Sequence, residues 1–197
     1  MAAFFTFFAT FTGGIMRKKY FLLFITIVSM LGCHSGGKDA AKGFLEISYR
    51  FKKAAGVQPS YQTAIWLEDE NGDLARTLFV SEYLSYGGFH DSTICPNWSR
   101  KANWDNIDES VFDAVTAATP STGENSLKVD CQKENIAPGT YRCCVQVHIV
   151  ENYNIMYCGT IKIGDGKSET IAMVDYSPGK HPLAGDVLND VKFSYSN

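Results

Sequence analysis

The stretch Asp113-Ala114-Val115-Thr116-Ala117-Ala118-Thr119-Pro120-Ser121 is where this chain could do chemistry. It is rich in small residues and ends in hydroxyls. Ala117 and Ala118 leave room for a bulky group to approach Thr119, and Pro120 stiffens the exit. Asp113 could orient a hydroxyl or a backbone donor, or contact a metal in a modifying enzyme. The alternative is a loop in which Thr116 or Thr119 only closes a turn.

Other candidate chemistry reads more simply. Gly164-Asp165-Gly166-Lys167-Ser168 ends like a phosphate loop, but Ile161 stands where the first glycine belongs and a strand follows instead of a helix, so it reads as a hairpin turn. Glu68, Asp69, Glu70 and Asp73 surround Asn71-Gly72, the signature of a solvated hairpin tip, and the glycine comes too early for a calcium loop. His34, His90, His148 and His181 are scattered without metal-ligand spacing, and Gly-x-Ser-x-Gly is absent.

Residues 16–33 set the compartment. Arg17-Lys18-Lys19 is followed by a 12-residue apolar run, Tyr20 to Leu31, and then Gly32-Cys33. The run is too short to span a bilayer and has the form of a secretory leader, with Cys33 as the site of lipid attachment. The alternative is an uncleaved N-terminal anchor, and both readings put the rest of the chain outside the cytoplasm. Residues 1–15 read as an over-extended start ahead of Met16. The chain then divides into a leader (1–32), a lipidated tether (33–43) and one domain (44–197). Ser35 gives no inner-membrane retention signal of the aspartate kind, which favours the outer membrane. The leader carries three of the 18 basic residues and no acid, leaving 15 bases against 21 acids and a net charge of −6 over 165 residues. With no basic patch, nucleic acid and electrostatic membrane binding are excluded as functions.

The elements that must hold Thr119 are strands. Phe44–Phe51, Thr63–Glu68, Ala75–Ser81, Thr140–Val150, Ile155–Ile163, Thr170–Asp175 and Val187–Tyr195 alternate or run apolar between turn signals, with a short strand at Leu127 and Val129. The pattern predicts a mainly β, immunoglobulin-like β-sandwich with one short helical or irregular insertion. A short helix is expected over Pro96–Trp104, and Val111–Ser126 reads as a structured loop. Cys95, Cys131, Cys143, Cys144 and Cys158 follow the leader, and their odd number leaves at least one unpaired within the chain. Alternation puts Cys143 in the core and Cys144 outward with Arg142, Gln146 and His148.

Tyr61 to Ser81, with its Ala-Ile-Trp-Leu-Glu-Asp strand, hairpin and Arg-Thr-Leu strand, resembles the opening of the bacterial periplasmic family named domain of unknown function 2271. Trp98 or Trp104, Asp113 to Thr119, and Pro138-Gly139-Thr140-Tyr141 follow in that family's order, so the resemblance spans about Phe44 to Tyr195. The last motif also looks like the immunoglobulin-like part of flagellar hook-capping proteins, which supports a sandwich. The family has no settled activity and is associated with extracytoplasmic flavin biology, including transferases that attach FMN to threonine. The acceptor pattern, Asp-x-x-Ser/Thr-Gly-Ala-Thr-x-Ser/Thr, is matched by Asp113, Thr116, Ala118, Thr119 and Ser121. Ala117 stands where the pattern has glycine. Were that backbone at positive φ, alanine would cost roughly 1–2 kcal/mol.

The resemblance therefore implies covalent FMN on Thr119 of an electron carrier that is not itself an enzyme. A flavin transferase and a membrane redox partner are its implied partners. Tyr83, Tyr86, Trp98 and Trp104 are candidates to pack the flavin ring, with core packing the alternative for at least two of them. A non-enzymatic binding or structural module of the cell envelope is the other reading.

Overall fold

The computed structural model describes residues 39–197. The leader and Cys33 lie outside the described residues. Among the described residues, ten strands form two sheets: β1 (Phe44–Phe51), β2 (Gln62–Glu68), β3 (Leu74–Ser81), β4 (Thr116–Ala117), β5 (Gly123–Asp130), β6 (Gly139–Val150), β7 (Tyr153–Ile163), β8 (Lys167–Ile171), β9 (Met173–Ser177) and β10 (Leu188–Ser196). The four-stranded sheet runs β5-β1-β10-β8, and the six-stranded sheet runs β4-β3-β2-β6-β7-β9. The fold is mainly β, a sandwich of two sheets, as the strand count predicts.

Alternation builds the space between the sheets. Leu45, Ile47, Tyr49 and Phe51 of β1 meet Val145, Val147 and Ile149 of β6, Ile65 and Leu67 of β2, and Phe193 and Tyr195 of β10 in one buried cluster. Packing begins ahead of β1. Ala41 is buried and its N–H bonds to the Ile136 carbonyl at 2.7 Å, so the tether joins the domain three residues before Phe44. Gly43, at φ +107°, admits no side chain because a Cβ would stand 2.4 Å from the Ser196 carbonyl oxygen.

The insertion is larger than one short helix. Between β3 and β4 lie α1 (Glu82–Ser85), α2 (Pro96–Ala102), α3 (Glu109–Val115) and two 3₁₀ turns. They cover the outer face of the six-stranded sheet, where Trp66, Trp98, Trp104, Leu84, Ile94 and Val115 form a second cluster. The helix expected near Pro96 is α2. The expected loop over Val111–Ser126 is instead the end of α3, the short strand β4 and the start of β5. Its small residues hid the α3 start signal, the Asp108 side chain accepting the Ser110 N–H at 2.9 Å.

The same layer corrects the outward reading of Cys144. It does face away from Cys143, but it is fully buried and disulfide-bonded to Cys158, its direct neighbour across the β6–β7 ladder. Gln146 and His148 are buried beside it. The apolar run expected as one strand over Thr170–Asp175 is two strands. β8 pairs with β10 in one sheet and β9 pairs with β7 in the other, with Ala172 at the crossing. The glycine-rich segment from Gly164 is the turn between β7 and β8, followed by strand.

The sandwich has two distinct ends. Phe44 lies opposite Ser196 on one side and Asp130 on the other, while Phe51 lies opposite Gly123. The ring centroids of Phe51 and Tyr61 lie 4.9 Å apart, so β2 starts at the Phe51 end. The chain therefore enters at one end and the Thr119 segment sits at the other.

Candidate functional site

Thr119 is placed by a short parallel pairing. Phe112 anchors α3 by packing near Trp104 and Tyr86, with ring centroids 5.7 and 5.0 Å apart. The helix stops at Thr116, where the backbone turns extended (φ −82°, ψ 124°). Thr116 and Ala117 then pair in parallel with Val80 and Ser81 at the end of β3. This carries residues 118–121 beside the start of α1. Ala117 is a strand residue and is not among the non-glycine residues at positive φ. Alanine therefore carries no left-handed strain where the acceptor pattern has glycine.

The Thr119 side chain is half-buried and held by one partner. Gln62 Nε2 donates to Thr119 Oγ1 at 3.2 Å, and Ser81 Oγ donates to Gln62 Oε1 at 2.8 Å. Thr119 also lines an open cleft of about 530 Å³ with Glu82, Tyr83, Tyr86, Gly87 and Gly88. Tyr83 and Tyr86 are 60% and 71% exposed. Trp98 and Trp104 are core residues instead, their indole N–H groups donating to Thr77 Oγ1 and the Ser85 carbonyl, each at 3.1 Å. The four aromatic candidates thus divide into two wall residues and two foundations.

The remaining acceptor-pattern residues are spread around Thr119. Ala118 and Ser121 are exposed, and Asp113 is exposed on α3. Thr116 is half-buried, and its Oγ1 has no hydrogen-bond partner. Gln62 and Ser81 escaped the sequence reading. They lie 57 and 38 residues before Thr119 in the chain, and only the β2–β3 hairpin and the β3–β4 pairing bring them there.

Elsewhere the polar groups serve structure. Asp69 closes the β2–β3 turn as expected, accepting the N–H of Asn71 at 2.9 Å and of Asp73 at 3.0 Å. Glu68 is not part of that solvated tip. It is 2% exposed and accepts from Trp66 Nε1 and from Arg142, each at 2.9 Å, with Lys101 at 3.4 Å. Burial alone would raise its pKa, but these donors and cations outweigh it and hold the carboxyl below its ordinary value. Cys95, Cys131 and Cys143 are buried free thiols. Burial pushes Cys95 up to about 12 and Cys131 up to about 11, and raises Cys143 as well. All three are protonated at neutral pH and are poor nucleophiles.

Residues 45–170 match the model of the family described as "Predicted periplasmic protein (DUF2271)". The chain belongs to this family. No curated protein and no solved structure matches it. The DUF2271 match runs from β1 into β8 and takes in the whole Thr119 cleft. β10 lies beyond the match, yet it pairs with both β1 and β8 and completes the four-stranded sheet. Membership in DUF2271 makes this an extracytoplasmic chain, a setting in which a disulfide such as Cys144–Cys158 persists.

Proposed function

We propose that this chain is a lipid-anchored protein of the cell envelope that carries FMN as a phosphoester on Thr119 and relays electrons outside the cytoplasm. One observation carries the reading. Thr119 lines a cleft walled by two exposed tyrosines, at the position the flavin-acceptor pattern marks. The cleft is of a size that holds small cofactors. Tyr83 and Tyr86 would pack the flavin ring, while exposed Ala118 and Ser121 leave room for the transferase. When bound, the flavin supplies the redox chemistry and the protein supplies its placement. The chain is then a carrier whose partners are a flavin transferase and a membrane reductase. Cys33 would hold it to the membrane, the outer one being favoured.

The test is to export the full chain together with a flavin transferase and map added mass on its peptides. An FMN-sized addition on the peptide holding Thr119, lost in Thr119→Ala while the domain still melts cooperatively, is the expected result. Covalent flavin persisting in Thr119→Ala, or an unmodified chain with several transferases, would overturn the reading.

A binding module of the envelope is the second reading. It is favoured by the apolar strip on the open sheet edges, where Ile171 and Met173 are 79% and 81% exposed. A polysaccharide or adhesin locus around the gene would support it, whereas an adjacent transferase or reductase gene supports the carrier.

A further inference from the structure

We infer that Gln62 is the positioning residue for esterification of Thr119, and that Ser81 locks its amide in the working orientation. The inference rests on the reading of Thr119 as the flavin acceptor. Which way the Gln62 amide points follows from its neighbours. Gln62 Nε2 lies 3.5 Å from the Ser60 carbonyl, which can only accept. At the other end, the Thr63 N–H donates to Ser81 Oγ at 2.9 Å, and the Ser81 proton goes to Gln62 Oε1 at 2.8 Å in preference to the Thr63 carbonyl at 3.3 Å. Both constraints turn Nε2 toward Thr119, whose Oγ1 must then be an acceptor. Gln62 is itself only 9% exposed, so water competes poorly for these bonds.

This arrangement fixes what the hydroxyl has left. One Thr119 lone pair accepts from Gln62, which leaves the O–H and the second lone pair for other partners, and Thr119 lines the cleft. In the transfer, Thr119 Oγ1 attacks the FMN phosphorus of a flavin dinucleotide held by the transferase. The Oγ1–P bond forms, and the pyrophosphate P–O bond breaks with its electron pair leaving on AMP. The hydroxyl proton passes to a base of the transferase. No electrons are exchanged with an oxidant. The ester oxygen loses its proton but keeps its lone pairs, so the bond from Gln62 survives modification. A bond in which Thr119 donated would be lost in the same step.

The test measures FMN incorporation into the full chain in detergent, with purified transferase and flavin dinucleotide, over a range of acceptor concentrations. Gln62→Ala and Gln62→Glu should lower kcat about tenfold, the effect of one lost hydrogen bond, with KM for the chain little changed. Ser81→Ala keeps Gln62 but frees its amide, and should lower kcat by a smaller factor. Gln62→Glu supplies a signature that loosened packing would not. Its carboxylate accepts from Ser81 but has nothing to donate to Thr119, whereas the protonated acid can do both. The ratio of its rate to wild type should therefore rise as pH falls. Wild-type rates in all three variants, or a flat ratio, overturn the role of Gln62 while leaving the flavin reading intact. A wild-type chain that no transferase modifies overturns the flavin reading itself. Thermal melts of each variant separate slow esterification from failure to fold, with Ser81→Ala the mildest packing change.

Discussion

Along β6, Cys143, Val145, Val147 and Ile149 face the four-stranded sheet, while Cys144, Gln146 and His148 face the helical layer. Both faces are buried, but different chemistry holds them. The inner face is closed by aliphatic and aromatic side chains whose association is non-directional. The outer face carries polar side chains that satisfy the backbone of the insertion. Gln146 Oε1 accepts the N–H groups of Asn97 at 3.0 Å and Trp98 at 3.3 Å, capping α2 where Cys95, at its N-cap, offers no side-chain bond. Asn154 bonds to the Cys95 N–H through its oxygen and to the Thr93 carbonyl through its nitrogen, at 3.0 and 2.8 Å. A sheet can thus keep a polar alternation and still be covered, provided the cover is built of short helices whose unpaired ends need partners.

Three changes would break or sharpen this contrast. The largest effect is expected from Phe193→Ala on the inner face. It should cost about 3–5 kcal/mol and lower the denaturant midpoint of the whole domain, because both sheets lose the side chain between them. Gln146→Leu should cost about 1–3 kcal/mol, since it strands two N–H groups of α2. Its effect should be local. Amide exchange should quicken at Asn97 and Trp98 while Val145 and Val147 keep their protection. Equal loosening of both sets would mean that the two faces are one unit.

The smallest effect is electrostatic. The pKa of Glu68 is lowered in the fold, so its contribution is present above its ordinary value of 4.5 and is lost as pH falls through the folded value. Denaturation midpoints of wild type should fall on acidification from neutral pH to about pH 3, and Glu68→Gln should flatten part of that fall. An unchanged slope would show that Glu68 contributes no pH dependence to the outer layer.

The contrast also explains what was legible in the sequence. β1, β2, β3, β6, β7 and β10 were visible within two residues at either end, because apolar side chains aimed between the sheets alternate with polar ones or, as in β2, run nearly unbroken between turn signals. The six-stranded sheet's second cover was not visible. Arg142, Gln146 and His148 look like a solvated face, and only the packing of α1–α3 reveals which of them are buried. Glu68 was misread for the same reason, since its neighbours Arg142 and Lys101 come from β6 and α2. Thr119 was found through a local pattern of small residues and hydroxyls. Gln62 and Ser81 were not, because a hydrogen bond across 57 residues leaves no local trace.

The two ends of the sandwich set the reach of the molecule. Phe44, where β1 starts, and Phe51, level with the Thr119 segment, are seven residues apart on one strand, a span of about 23 Å. That length of strand separates the Phe44 end of the sandwich from the cleft. The strands act as a spacer, and a molecule that uses the cleft docks at the tip opposite the Phe44 end.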